Sequence, residues 1–179
     1  MKTLIVNLYA GPGAGKSTSA AYIFSMLKMR GISAEYVTEF AKDKTWEENQ
    51  LTLNCQFYVS GKQAFRLASV NGKVNVIVTD SPLVLGAFYS SDKYISDACV
   101  EESKKYPWQL NYFIERKDRK YDPNGRNQSY EESKEIDIKV KNLLAEKNII
   151  YKSIISSREG CDNIVEEIIE ELNKQVDKE

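Results

Sequence analysis

The chain has 179 residues, 42% of them hydrophobic and 28% charged, which suits one domain over residues 1–179 with a sizeable core. Its 25 Lys and Arg against 26 Asp and Glu leave a formal net charge of -1, which excludes a global field toward nucleic acid or membrane and makes any anion site local. With no histidine, Ser-His-Asp and Cys-His catalysis and His-ligated zinc are excluded, and acid–base work falls to carboxylates, Lys, Tyr or Cys.

Residues 4–8 form a greasy run, interrupted by Asn7, that reads as a buried strand. With Lys2 before it and small residues after it, the run has something of a secretory signal. It is too short for one, and a motif rather than a mature N-terminus follows. Gly11, Pro12, Gly13, Ala14, Gly15, Lys16 and Ser17 keep x-x-x-x-G-K-S, with Thr18 next. The first position of the phosphate-binding motif G-x-x-x-x-G-K-[ST] falls on Ala10, one methyl group away from the strict form. Glycines in such a loop let successive backbone N–H groups turn inward around a phosphate, and the helix that begins near Lys16 points its positive end at the same anion. Lys16 then reaches the β- and γ-phosphates, and the Ser17 hydroxyl serves Mg²⁺.

The helix after the loop is expected to present Ala21, Phe24, Leu27 and the stem of Lys28 on related faces and to close at Gly31. "ISAEYVTEF" alternates as a second strand ending near Thr38, and a helix is expected over residues 47–69 with Leu51, Leu53, Phe57, Phe65 and Leu67 as its apolar side. "KVNVIVTD" is a strand buried on both faces that ends in a carboxylate. A helical region around residues 97–105, a fourth strand "QLNYFIE", a polar turn-rich segment and a helix with Ile136, Val140, Leu143 and Leu144 on one face follow. "IIYKSII" reads as a fifth strand and residues 161–176 as a terminal amphipathic helix. Strands alternating with helices imply an α/β three-layer sandwich, a five-stranded parallel sheet with helices on both faces, and a crevice at the carboxyl ends of the strands. Cys55, Cys99 and Cys161 lie far apart in no C-x-x-C arrangement, which fits unpaired thiols. No run approaches the roughly 20 apolar residues of a membrane span, so a cytoplasmic protein without a membrane partner is expected.

Four loop features fall on that edge: residues 10–17 after the first strand, 39–43 after the second, 80–82 after the third and the arginine-rich segment after the fourth. Asp80 ends the third strand, where phosphate-loop proteins place an acid that orients Mg²⁺; its alternative role is to cap the turn "DSP". Glu39 and Asp43 follow the second strand, where a carboxylate can take the proton of an acceptor hydroxyl; the alternatives are a helix cap and a pair with Lys42 or Lys44. Arg116, Lys117, Arg119, Lys120 and Arg126 read either as a solvated face or as an arginine-rich lid over about residues 116–129, with Arg116 and Arg126 the pair best placed to stabilise transferring charge. Trp46, Gln56, Phe57, Tyr58, Gln63 and Arg66 lie where an acceptor would be covered, and Gln63 and Arg66 are its candidate ligands.

"GPGAGKST", "TEFAKD", "GKQ", "VTDSP" and a lid with "NGRNQ" resemble the small P-loop nucleoside and nucleotide kinases, the ribosylnicotinamide kinase type and related kinase-like ATP-binding proteins of phages in particular. The resemblance runs in order along almost the whole chain, and the phosphate loop is its specific part. It implies ATP and Mg²⁺ as cofactors, Glu39 at the acceptor hydroxyl and Asp80 at the metal. The ribosylnicotinamide kinases carry a Pro-Trp lid motif where this lid has "KYDPNGR", so the resemblance implies the transfer more than the acceptor. The function expected is an ATP-dependent kinase acting on a small nucleoside- or nucleotide-like acceptor. Beside it stand a nucleoside monophosphate kinase, a 5′-hydroxyl polynucleotide kinase (against which the near-neutral charge argues), and, from another class, an ATPase or nucleotide-binding switch acting on a protein partner. A homodimer is left open.

Overall fold

Runs of β-branched and aliphatic residues make the strands, and their burial on two faces sets the layers. The computed structural model describes residues 2–116 and 128–176. In it β1 (Leu4–Tyr9), β2 (Ala34–Val37), β3 (Val76–Thr79), β4 (Gln109–Glu115) and β5 (Lys152–Ile155) form one sheet in the order β2-β3-β1-β4-β5. Every pairing is parallel: Val6 lies opposite Val78 on one side and Leu110 on the other. The strands alternate between two packed layers. Leu4, Val6, Leu8, Val76 and Val78 join the cluster that includes Ile23 of α1 (Lys16–Met29) and Ile164 and Ile168 of α8 (Arg158–Val176). Ile5, Ile77 and Val37 turn the other way, onto Leu67 of α4 (Gln56–Val70). Asn7 breaks the greasy run without breaking the strand, because its side-chain amide donates to Gln109 Oε1 at 2.7 Å and Asn111 Oδ1 at 2.9 Å on β4. The expected α/β sandwich with a five-stranded parallel sheet is therefore the observed fold.

Two expectations about helix faces need correction. On α1 the buried residues are Ser19, Ala20, Ile23 and Leu27, whereas Ala21 and Lys28 are exposed and Phe24 is half-buried against the Tyr36 ring. The loop fixes where the helix starts and so which 100° sector meets the sheet; the small residues at its start leave the apolar pattern ambiguous by one position. The single helix expected over residues 47–69 is three elements: α2 (Phe40–Trp46), α3 (Gln50–Leu53) and α4. Glu48 takes a positive φ of 53°, which ends α2, and the Asn49 side chain accepts from the Thr52 N–H at 3.0 Å, which starts α3. As a result Val59, Gln63 and Leu67 face the core, and Leu51, Phe57 and Phe65 are exposed.

The rest of the chain follows the expected order. α5 (Leu85–Tyr89) and α6 (Lys93–Lys104) precede β4, and α7 (Tyr130–Glu146) buries Val140 and Leu144. A reciprocal cap fixes the start of α7: Ser129 Oγ accepts from Glu132 N–H, and Glu132 accepts from Ser129 N–H at 2.6 Å. Cys99 and Cys161 are buried free thiols and Cys55 an exposed one. Among the described residues no helix is long and apolar enough to cross a membrane. Of the expected lid, Arg126 and the other residues of 117–127 lie outside the described residues.

The face of α1 gives a direct test. Ile23→Ala should destabilise the fold by about 2–5 kcal/mol, and Ala21→Ser should stay within about 0.5 kcal/mol. Urea unfolding midpoints of the two variants check it; equal shifts would mean that α1 is rotated from the position described.

Candidate active site

Because the strands are parallel, their carboxyl ends share one edge, and the strand order sets what stands beside what. Glu39 after β2, Asp80 after β3, the Ala10–Ser17 loop after β1 and Arg116 after β4 follow one another along it.

The loop is built by its glycines. Gly13 and Gly15 have φ of 77° and 104°, a left-handed backbone that side chains resist and that turns N–H groups inward as an anion-binding concavity. Ala10, at the motif's usual first glycine, is only 2% exposed and packs its methyl group into the core, so glycine is not needed there. It is needed at Gly11: a Cβ on that residue would lie 2.6 Å from the Ser133 carbonyl oxygen and 2.9 Å from Asp137 Oδ1. Lys16 Nζ donates to the carbonyls of Ala10 at 2.8 Å and Gly11 at 3.1 Å, lying back over its own loop. Burial lowers its pKa, opposed by the nearby charges of Glu39, Asp80 and Asp137.

Asp80 is 2% exposed, and its Oδ1 is buried without a hydrogen-bond partner. The turn that follows is capped instead by Thr79, whose Oγ1 accepts from Ser81 N–H at 3.1 Å. The capping alternative for Asp80 thus has no support, and its orphaned oxygen has the chemistry of a group awaiting a cation. Beside it, the Tyr36 phenol faces both the Asp80 carboxylate and Ser17; burial, together with the Asp80 charge, holds its pKa well above the ordinary value. Among the described residues no three acidic or thiol side chains gather to hold a metal by themselves. One carboxylate and one hydroxyl beside a phosphate cradle do fit Mg²⁺, which keeps waters and shares substrate phosphates rather than entering an all-protein cage.

Glu39 opens α2 at its N-cap position, but its side chain makes no capping bond. Burial raises its pKa, Lys16 works against that rise, and Asp80 adds to it. It lines a cavity of about 860 Å³ together with the loop, Asp80, the α3–α4 stretch and α5–α6. The cavity lining includes the apolar side chains of Leu53, Phe57, Leu85 and Ile95 and two acids with partners of their own: Asp92 accepts from the Tyr94 N–H at 2.8 Å, and Glu102 pairs with Lys105. Among the described residues the cations lining the cavity are Lys16 and Lys42.

The remaining candidates are placed differently from expectation. Gln63 touches the cavity, but its carbonyl oxygen accepts from Phe40 N–H at 3.0 Å and its amide donates to the Thr38 carbonyl at 3.3 Å, so it holds the β2–α2 turn. Arg66 is not part of the lining. It pairs with Asp43 at 2.6 Å, donates to Thr38 at 3.2 Å and lies over the Phe40 ring. Asp43 is thereby engaged away from Glu39, and Lys44 pairs with Glu47. Arg116 does not line the cavity either; it sits beside Gly11 against Asp137 and the Ser133 carbonyl. Tyr36, Asp137 and Tyr89, whose hydroxyl lies in the field of Glu39 and Asp137, went unread in the sequence. Tyr36 gave no signal there: it is the strand register, which sets it opposite Val78 two residues before Asp80, that brings it to the acid. Asp137 sits mid-helix among other charged residues and had none.

A family model described as AAA domain matches residues 5–159. No curated protein matches the chain. Among solved structures, the crystal structure of NadR protein in complex with NR is similar to it at 16% identity with a TM-score of 0.58, over 88% of this chain and 46% of that one. This chain therefore spans about half the length of that protein, and the likeness is one of fold.

The Gln63 bonds predict a stability effect. Gln63→Leu leaves the Phe40 N–H buried without an acceptor and should cost about 1–3 kcal/mol. Chemical denaturation of the variant checks this; an unchanged midpoint would mean that the amide is not what holds the turn.

Proposed function

The chain belongs to the AAA domain family, and we propose that it is an ATP-dependent phosphotransferase acting on the hydroxyl of a small, unphosphorylated nucleoside-like acceptor. The observation that carries this reading is Glu39: a half-buried carboxylate with a raised pKa, in one cavity with the phosphate loop and free of capping duty. A hydroxyl needs a base to take its proton, and a raised carboxylate pKa suits one; a monophosphate is already ionised and needs cations. Among the described residues the cations lining the cavity are Lys16 and Lys42, and Arg66 is paired with Asp43 outside it, which supports a neutral acceptor over a monophosphate.

In this mechanism the inward N–H groups of the loop hold the β- and γ-phosphates. Lys16 leaves the Ala10 and Gly11 carbonyls for the phosphate oxygens. Asp80 and Ser17 would hold Mg²⁺, which when bound draws negative charge from the β- and γ-oxygens. Glu39 accepts the hydroxyl proton as the acceptor oxygen bonds to the γ-phosphorus and the bond to the bridging oxygen breaks, leaving ADP. Lys16→Ala should then lower turnover on the order of a hundredfold or more with the fold intact; circular dichroism and steady-state kinetics check it, and near-normal turnover in a folded variant would exclude this use of the loop.

The acid limb of the rate profile tests the base. Since burial raises the Glu39 pKa, its basic form should be lost as pH falls through a value above the ordinary carboxylate range, and kcat/KM should fall with it. Glu39→Gln should remove that limb and roughly a hundredfold or more of the rate. The assay uses labelled ATP with a panel of nucleosides, ribosylnicotinamide among them, and their monophosphates. Transfer to monophosphates alone would overturn the choice of acceptor, and ATP turnover that no acceptor stimulates would leave an ATPase or switch.

A further inference from the structure

Beside the phosphate loop, and outside the lining of the cavity, a largely buried ion pair and a helix carbonyl surround Gly11. Gly11 N–H donates to Asp137 Oδ1 at 2.6 Å. Arg116 Nε donates to Asp137 Oδ2, and its Nη2 reaches Asp137 Oδ1 at 3.3 Å and the Ser133 carbonyl at 2.9 Å. Both side chains of the pair are largely buried, 12% and 15% exposed. Ser133 and Asp137 are four residues apart, one turn of α7, so a single helix face presents both groups to the loop. On its other side the same peptide is engaged again, because the Ala10 carbonyl accepts from Lys16 at 2.8 Å.

A carboxylate is an unexpected neighbour for an anion site, since its charge opposes the phosphate the loop is shaped to hold. Here Arg116 neutralises it, and what remains is an acceptor that fixes an N–H without adding net charge. We propose that Asp137 and Arg116 are a positioning pair for the phosphate loop: Asp137 holds the Gly11 amide and so sets the loop's entry, and Arg116 cancels the charge that would otherwise repel the nucleotide. This gives Arg116 a role distinct from a lid arginine that touches the transferring phosphate. The inference rests on the phosphate-binding use of the loop but not on any acceptor.

The measurements are ATP and ADP affinity by calorimetry and the Gly11 amide proton by NMR of ¹⁵N-glycine-labelled protein. In the parent that amide should be shifted downfield and protected from exchange; a fast-exchanging, unshifted Gly11 amide would overturn the proposal without any variant. Asp137→Asn keeps an acceptor for Gly11 and should hold nucleotide affinity within about threefold, whereas Asp137→Ala should lose about tenfold or more, the worth of one charge-assisted hydrogen bond. Arg116→Ala should lose at least as much, and adding Asp137→Asn to it should recover affinity, because the second change removes the uncompensated charge and keeps the acceptor. A double variant no better than Arg116→Ala, or an Asp137→Asn as weak as Asp137→Ala, would overturn the pair. Should Asp137→Ala not fold, Asp137→Asn and the double variant still decide. A parent that binds no nucleotide would defeat the phosphate-loop reading instead, and the Gly11 amide would still report on the hydrogen bond.

Discussion

β1 is paired on both sides and buried on both faces, and this double enclosure is the constraint from which the site follows. A strand so placed delivers its carboxyl end to the middle of the sheet edge, with neighbours at about 4.8 Å spacing on either side. The loop leaving it therefore has Asp80 one strand away, Glu39 two strands away and Arg116 one strand away in the opposite direction. Two strand spacings separate the loop from Glu39, and both line one cavity. Large bonded partners on one edge would be costly in an antiparallel sheet, where successive loops alternate ends; parallel crossovers return each strand to the same end.

The electrostatics of the cluster are unbalanced as they stand. Lys16 shares its field with Glu39, Asp80 and Asp137, and Arg116 offsets the last of these. Burial moves Lys16 down and Glu39 up, so each tends toward its neutral form, while their mutual attraction opposes both shifts. A buried, unpartnered carboxylate oxygen on Asp80 and a carboxylate of raised pKa at Glu39 are at odds with a purely structural ion network, whose members satisfy one another.

How much could be read in advance depended on the range of the interactions. The parallel sheet was legible because its strands are continuous apolar runs, and the loop because x-x-x-x-G-K-S carries its own backbone demand. Residues whose roles are set by near neighbours in the chain, such as Ser129 capping Glu132, are of the same kind. The division of residues 47–69 was hidden, since it turns on a left-handed Glu48 and an Asn49 cap rather than on glycine or proline. Gln63 and Arg66 carry suitable chemistry for a ligand, but contacts 23 residues or more back in the chain, at Thr38, Phe40 and Asp43, already engage it. Asp137 meets Gly11 across 126 residues, a separation at which local pattern holds no information.

Lys16 donates to the carbonyls of both Ala10 and Gly11. Those acceptors belong to consecutive peptides, so one side chain at the start of α1 ties down the chain where it leaves β1. Without the ammonium, two carbonyls of the turn need another donor at once. A change at Lys16 therefore alters the local shape of the loop as well as its charge.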